Sequence, residues 1–264
     1  MSISLNYIVH SCADNIENGW EALEHFDGNI DEVFRRMELC DKNGVFPLNG
    51  SIIRTKSDIM RRVEKVKRQY PHLQELYQRR GGNDKLFELL IARQELLGMF
   101  SNISLSVHPK IKRAWKIQFE LFGTFWNTEI KNDYCCMFPE IEKPMGGVAN
   151  AWHFTPKNGI YLVNPPYTEE AIKKSLRLVK SWILDKKSGK LRFIIVIPVW
   201  DKKTRKEFGI YDDYDMPAIN QFLNEKFVLY HVVINNFPFF DYLKRREVAM
   251  KGVYIHFIIA EKVN

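Results

Sequence analysis

Between Gly159 and Trp200 the chain reads GIYLVNPPYTEEAIKKSLRLVKSWILDKKSGKLRFIIVIPVW. Three segments separate by periodicity. Gly159–Val163 is a short β-type run. Thr168–Leu184 repeats apolar residues at helical spacing, with Ala171, Ile172, Leu176, Val179 and Ile183 on one side. Arg192–Val199 is almost unbroken Phe-Ile-Ile-Val-Ile, the composition of a central strand covered on both faces. Strand, long helix and strand together predict a right-handed parallel crossover. The expected fold class is an open α/β sheet, in which ligands meet the carboxyl ends of the strands.

Downstream, Phe227–Asn235 and Gly252–Ala260 are two more β-type runs, expected as an antiparallel hairpin at the sheet's edge. Upstream, Ile117–Thr124 is expected as the first strand. Before His108-Pro109 the texture is helical. Helices are expected over Asn15–Phe26, Asn29–Leu39, Ser57–Gln69 (with Ser57 as its cap), from Pro71 to the Gly81-Gly82 pair, and over Asp84–Phe100. The last of these carries Leu86, Leu89, Leu90, Leu96 and Leu97, while Asp41–Gly50 reads as a loop. The expected organisation is a helical domain over 1–107 and an α/β domain over 108–264.

Composition narrows the class. The 264 residues are 45% hydrophobic and 13% aromatic, enough for a packed core and incompatible with disorder throughout. The longest apolar stretch, Phe193–Trp200, is far shorter than the ~20 residues a bilayer span needs. Met1–Asn15 has no basic cluster followed by an apolar run, so no secretory signal is read there. Cys12, Cys40, Cys135 and Cys136 form no C-x-x-C pair, which suits neither zinc nor a disulfide framework. No metal site is expected, the histidines being scattered. An intracellular location, nucleus or cytoplasm, is expected, with no membrane partner. The net charge of +7 favours an anionic partner, nucleic acid first.

The first strand of the crossover runs straight into Asn164-Pro165-Pro166-Tyr167. Each proline fixes its own φ and restricts the residue before it, so this turn is stiff. A stiff turn aims the Asn164 side chain and the Pro165 carbonyl, both oxygen acceptors, at a fixed point. An exocyclic amino group on a nucleobase is a poor nucleophile because its lone pair is delocalised into the ring. Two acceptors holding its hydrogens favour the pyramidal form and stabilise the positive charge that grows on nitrogen during methyl transfer. Tyr167 offers a flat face, and base stacking contributes roughly 1–3 kcal/mol.

These residues carry a resemblance. Asn-Pro-Pro-[Phe/Tyr] is the signature of S-adenosylmethionine-dependent amino-methyltransferases acting on adenine, cytosine, guanine or glutamine amide nitrogen. The longer pattern Asn164-Pro165-Pro166-Tyr167-x-Glu169, a long helix, then Phe193–Trp200 resembles the cap-specific adenosine N6-methyltransferase family, of the phosphorylated-CTD-interacting-factor type. Phe122–Asn127 and Tyr134–Glu140 fall where that family has similar stretches. The resemblance covers 108–264. It implies a Rossmann-like class I methyltransferase sheet preceded by a helical domain, with methyl transfer from S-adenosylmethionine to N6 of the adenosine beside an mRNA cap. It implies Asn164, Pro165, Pro166 and Tyr167 as the catalytic grip, and Glu169, Pro198 and Trp200 at the substrate pocket. Val199 stands where the family has an acid, and no WW-type tail-binding module is read in the sequence.

No G-x-G-x-x-G is present. The expected cofactor contacts are the lone Gly123 after the first strand, Asn164, Glu140 as the acid for the ribose (Glu142 in reserve), and Phe122 and Phe138 bordering the adenine. Basic residues cluster at Arg61–Arg68, at Lys110, Lys112, Arg113 and Lys116, and at Lys202, Lys203, Arg205 and Lys206. The last cluster follows Trp200 at the active edge and is the expected phosphate track for RNA. Asp212, Asp213 and Asp215 form an acidic loop, read either as a grip for a cationic cap guanine or as solvated. Phe237, Phe239, Phe240 and Tyr242 are expected as a mobile aromatic lip or as packing against the helical domain. Other substrates for the same motif are internal RNA, DNA adenine or protein glutamine. An inactive fold that binds RNA or acts as a scaffold is the competing class.

Overall fold

The structure, a computed structural model, describes residues 56–96, 105–128, 134–167, 169–207, 209, 215–249 and 252–262. The expected helices Asn15–Phe26 and Asn29–Leu39, the Asp41–Gly50 loop, Cys12, Cys40, Asp212 and Asp213 lie outside them.

Three helices come first among the described residues: α1 (Lys56–Gln69), α2 (Pro71–Arg79) and α3 (Asp84–Leu96). Ser57, expected as a cap, lies within α1. Pro71 opens α2 at the position where a missing N–H is harmless, and Gly81, at φ +92°, supplies the left-handed turn that stops it. The remaining elements are β1 (Leu105–Val107), α4 (Pro109–Ala114), β2 (Phe119–Glu120), β3 (Tyr134–Cys135), α5 (Pro139–Glu142), β4 (Gly147–Ala149), β5 (Gly159–Val163), α6 (Glu169–Leu184), β6 (Leu191–Pro198), α7 (Lys202–Glu207), α8 (Pro217–Leu223), β7 (Val228–Asn235), β8 (Pro238–Asp241), β9 (Arg246–Ala249) and β10 (Tyr254–Glu261).

The main sheet has the order β2-β5-β6-β10-β7. β5 and β6 are parallel, in register Tyr161↔Phe193 and Val163↔Ile195, with α6 between them in sequence, so the expected crossover is present. β2 is parallel to β5, and β10 is antiparallel to both β6 and β7. The sheet is therefore mixed. β7 and β10 do pair antiparallel at the edge, but not as a simple hairpin: β10 slots between β6 and β7, and the chain between them forms β8 and β9, which join β1 in a second sheet.

The expected first strand, Ile117–Thr124, shortens to two residues because local partners compete for its backbone. Ile117 N–H returns to the Lys112 carbonyl after Lys116 takes a φ of +51°. At the other end the Asn127 side chain accepts from Thr124 N–H at 2.7 Å and turns the chain away. Gly123 N–H then donates to the Cys135 carbonyl at 2.8 Å, which ties the parallel β3–β4 pair to the end of β2.

Phe193 through Ile197 are fully buried, which explains their unbroken apolar character. Ile195 and Ile197 face α6 and α8 through Ile172, Leu176, Val179, Ile219 and Phe222. Ile194 and Val196 pack on the other face with Leu162, Val107, Phe237, Phe239 and Phe257. Phe237 and Phe239 are thus core residues of the β1–β8–β9 layer, which corrects the expectation of a mobile lip: buried rings in a packed layer are not free to swing. The helices α1–α3 build their own cluster with Phe125, Trp126, Tyr134 and Phe138, and Tyr77 Oη donates to the Ile141 carbonyl at 2.6 Å. No described helix is long and apolar enough to cross a membrane.

Candidate active site

The parallel register places the carboxyl ends of three strands at one edge. Leu121 N–H donates to the Leu162 carbonyl, so Phe122 and Gly123 leave β2 at the level where Asn164 leaves β5. β6 continues three residues further, to Pro198, and Trp200 and Asp201 follow. The chain runs from β2 to β3 on one side and returns through β5 to β6 on the other. That reversal is where open α/β sheets bind ligands.

Asn164 is half-buried, and its Oδ1 accepts a hydrogen bond from Tyr167 Oη at 3.0 Å. This contact was not legible from spacing alone, although Asn and Tyr three apart across a double proline are close enough to meet. The Tyr167 ring stands edge-on to Phe239, centroids 6.3 Å apart at 73°, and touches the clusters on both faces of the sheet. Burial pushes its phenol well above the usual range, so it is a donor and not a base. Pro165 is buried and Pro166 half-buried. Glu169, the first residue of α6, is bound by Lys173 one turn on.

Around β2 the expected cofactor contacts divide. Phe122 is half-buried and its ring lies against Trp152, centroids 5.0 Å apart, with Lys174 Nζ 4.9 Å from the centre of the Trp152 ring. The room beside Gly123 is taken by the Tyr134 ring, since a Cβ there would lie 3.1 Å from Tyr134 Cδ2. Phe138 is 1% exposed within the helix-side cluster. Glu140 is exposed and borders a cleft of about 520 Å³ with Pro139, Lys143, Gly146, Gly147 and Val148. Glu142 is fully buried; its Oε2 accepts from Phe125 N–H and from Tyr134 Oη, each at 2.9 Å. Burial raises its carboxyl to about 8, against the opposing pull of those two donors. Glu142 Oε1 and Thr124 Oγ1 are buried without a partner among the described residues. Both atoms are sealed from solvent, so they mark a polar pair inside the β2 end and not a surface that a ligand touches. Of the expected cofactor contacts, the half-buried Phe122 and the exposed Glu140 are the ones a ligand such as S-adenosylmethionine can reach.

Past β6, Pro198 and Trp200 are buried, Trp200 against the α6 side of the sheet. Lys202 and Lys203 are exposed at the start of α7, as a phosphate track requires, but Arg205 is 7% exposed. That corrects its assignment: a guanidinium turned into the protein cannot follow a backbone in solvent. Asp201 caps α7, its Oδ1 accepting from Thr204 N–H at 2.8 Å, and its Oδ2 meets His256 Nε2 at 2.7 Å. Sequence reading passed over Asp201, although an Asp immediately before the first residue of a helix is an N-cap signal. Lys112 of the second basic cluster is also corrected. It is buried on Glu120, Nζ to Oε2 at 2.8 Å, and so takes no part in a phosphate surface. Among the described residues there is no cluster fit to hold a metal ion.

A family model described as the phosphorylated CTD interacting factor 1 WW domain matches residues 57–211, more than half of the chain and inclusive of Asn164–Tyr167. The chain belongs to this family. Its description names a WW domain, which the sequence reading did not expect; the matched residues run through α1–α3 and the β5–α6–β6 crossover. The mRNA (2'-O-methyladenosine-N(6)-)-methyltransferase of Mus musculus is 27% identical over 103 residues, 39% of this chain and 14% of that protein. The enzyme of the same description from Homo sapiens is 26% identical over 103 residues, with the same coverage. The alignment thus spans 14% of the length of the curated relatives.

Proposed function

We propose that this family member is an S-adenosylmethionine-dependent methyltransferase acting on N6 of adenosine in RNA, with the cap-adjacent adenosine of mRNA as the favoured site. The observation that carries the reading is the position of Asn164. Its carboxamide stands on a double-proline turn at the carboxyl end of β5, where the strand order reverses, and is held there by Tyr167. The methyltransferase descriptions of the relatives support the same activity. The five-stranded order β2-β5-β6-β10-β7, with the separate β3–β4 pair tied beside β2 through Gly123 N–H and the Cys135 carbonyl, supports a Rossmann-like arrangement with one antiparallel strand inserted near its far edge.

When bound, S-adenosylmethionine supplies an electrophilic methyl group. Phe122 and Trp152 would border its adenine, and Glu140 would take the ribose hydroxyls. Tyr167 Oη occupies one lone pair of Asn164 Oδ1 and fixes the carboxamide plane, which leaves the second lone pair for an amino hydrogen of the substrate. The Pro165 carbonyl would hold the other hydrogen. Held by a stiff turn, both oxygens would be in place before charge develops on nitrogen, so that little reorganisation is needed at the moment of transfer. The excess proton on the methylated N6 is acidic enough to pass to water, so no strong general base is needed. Lys202 and Lys203 hold the RNA backbone beside the pocket.

The purified protein, incubated with methyl-labelled S-adenosylmethionine and RNA beginning with adenosine, is expected to label capped RNA in preference to uncapped. Nuclease digestion should release the label as N6-methylated nucleoside. Equal labelling of both RNAs removes the cap preference. Label that survives nuclease and stays with protein removes the RNA reading. Asn164→Ala is expected to lower turnover by about 10²–10³-fold while S-adenosylhomocysteine affinity by calorimetry stays unchanged.

A further inference from the structure

On the antiparallel side of the sheet the cap of α7 continues into a hydrogen-bonded chain of three ionisable groups. Asp201 and His256 are both fully buried. His256 Nε2 lies 2.7 Å from Asp201 Oδ2, and His256 Nδ1 lies 2.8 Å from Nε2 of His231, an exposed residue on the edge strand β7. The two imidazole centroids are 4.9 Å apart. The chain links the cap of the helix bearing Lys202 and Lys203 to solvent at the opposite end.

We infer that Asp201, His256 and His231 form a proton-accepting chain that positions the basic helix α7, with His256 as the positioning residue and His231 as its inlet from solvent. This rests on the reading of Lys202 and Lys203 as an RNA track. An ionised Asp201 only accepts, so His256 Nε2 carries a hydrogen. In neutral His256 the Nδ1 nitrogen is then an acceptor, and His231 Nε2 must donate to it. Addition of one proton reverses the second bond. The proton arrives at His231 Nδ1, the Nε2 proton of His231 passes to His256 Nδ1, and His231 is left neutral with its hydrogen on Nδ1. His256 becomes an imidazolium between the Asp201 carboxylate and His231 Nε2, which now accepts. Two imidazoliums at this separation repel, so the pair takes up one proton and not two.

Other observations agree. Burial alone would raise the Asp201 carboxyl, yet the His256 hydrogen bond and the Thr204 N–H outweigh it and hold Asp201 down at about 2. Burial and the neighbouring His256 depress His231 to about 4, so His231 is a poor resting place for a proton. The other ionisable groups on the surrounding elements are Lys202, Lys203, Arg205, Lys206 and Glu207 on α7, Asp215, whose Oδ1 accepts from Lys202 N–H at 2.7 Å, Tyr230 on β7, Tyr254 and Glu261 on β10, and Arg192 on β6, which is paired with Glu261 at the far end of the sheet. Stability is a weak reason for such a chain, because buried carboxylate–cation pairs are often matched or bettered by apolar side chains of the same volume.

The test uses nitrogen-resolved NMR of the histidine rings in the whole chain, and binding of a short fluorescent single-stranded RNA between pH 5 and 8. In wild type, His231 and His256 should titrate together as one proton, with His256 Nε2 protonated at every pH. His256→Gln, which can still donate to Asp201, should bind RNA as wild type does at pH 8. It should lose the gain of about two- to threefold that one added charge near the lysines gives wild type on acidification. His256→Ala should weaken RNA binding at all pH values while leaving S-adenosylhomocysteine affinity intact, since it frees a buried carboxylate at the α7 cap. Independent titration of the two rings overturns the chain. Parallel pH profiles for wild type and His256→Gln overturn its role at α7. Should wild type bind no RNA, the RNA reading of the edge fails, and the ring titration alone decides whether the proton chain stands.

Discussion

Lys112→Met should be among the most destabilising single changes in the described part of this chain. Lys112 is 3% exposed and Glu120 fully buried. The ammonium reaches both carboxylate oxygens, at 2.8 and 3.1 Å, and the Asn127 carbonyl at 3.1 Å, and it stands 4.8 Å from the centre of the Tyr242 ring. Methionine fills the same channel without charge. Glu120 then keeps one donor, Ser106 Oγ at 2.8 Å, and the Asn127 carbonyl loses this one. Removing one partner of a buried pair costs about 3–5 kcal/mol, a large part of the 5–15 kcal/mol by which domains are stable. With a urea dependence of about 2 kcal/mol per molar, the midpoint of unfolding followed by tryptophan fluorescence should fall by about 2 M. Lys112→Met/Glu120→Gln removes both charges and keeps an acceptor for Ser106, so it should recover at least half of the loss. The difference between wild type and the single variant should change little with added salt, because a buried pair is poorly screened. A single variant within about 1 kcal/mol of wild type, or a double variant no better than the single, refutes the reasoning.

Tyr167→Phe removes the hydroxyl that fixes Asn164 and nothing else in the turn. It should lower kcat by about three- to tenfold, the worth of one neutral hydrogen bond, with little change in cofactor affinity, and a loss as deep as that of Asn164→Ala would mean that the phenol acts directly. Glu142 carries its carboxyl at about 8 in the fold against an ordinary 4.5, so the folded chain holds a proton that the unfolded chain gives up between those values. Its contribution to stability is therefore fully present below about pH 4.5, falls as pH rises through that window by up to about 1.4 kcal/mol per pH unit, and levels off above pH 8. Glu142→Gln should flatten this slope, and urea midpoints at several pH values compare the two; parallel curves would contradict the burial argument. Gly147→Ala places a Cβ 2.6 Å from Cys136 Sγ and 2.8 Å from Glu142 Cβ, and should lower stability by about 1–3 kcal/mol in thermal or urea unfolding.

The crossover was readable because its signals are local. Phe193–Ile197 is short, rich in β-branched residues and unbroken, which favours a covered strand, and the stripe on α6 needs an apolar surface to lie on. The Asn164–Tyr167 turn was readable for the same reason, since prolines restrict backbone wherever they occur. The first strand was overestimated because hydrophobic pattern does not register the Asn127 and Lys112 contacts that bend the chain at both ends. The aromatic segment Phe237–Tyr242 gave no sign of which surface would cover it, and the β1 pairing that makes it core joins residues more than a hundred apart. Basic residues misled in the same way: Lys112 and Arg205 carry the charges of an RNA surface in sequence and are buried in the fold.

Taken alone, the amino-acid order settled which chemistry is offered and at which strand end, because rigid turns and apolar runs are properties of neighbouring residues. Folding in three dimensions settled who stands beside whom. It set Tyr167 on Asn164, inserted β10 between β6 and β7, and joined Asp201 to His256 across 55 residues of chain. Such contacts depend on register and packing between distant segments, which no local pattern encodes.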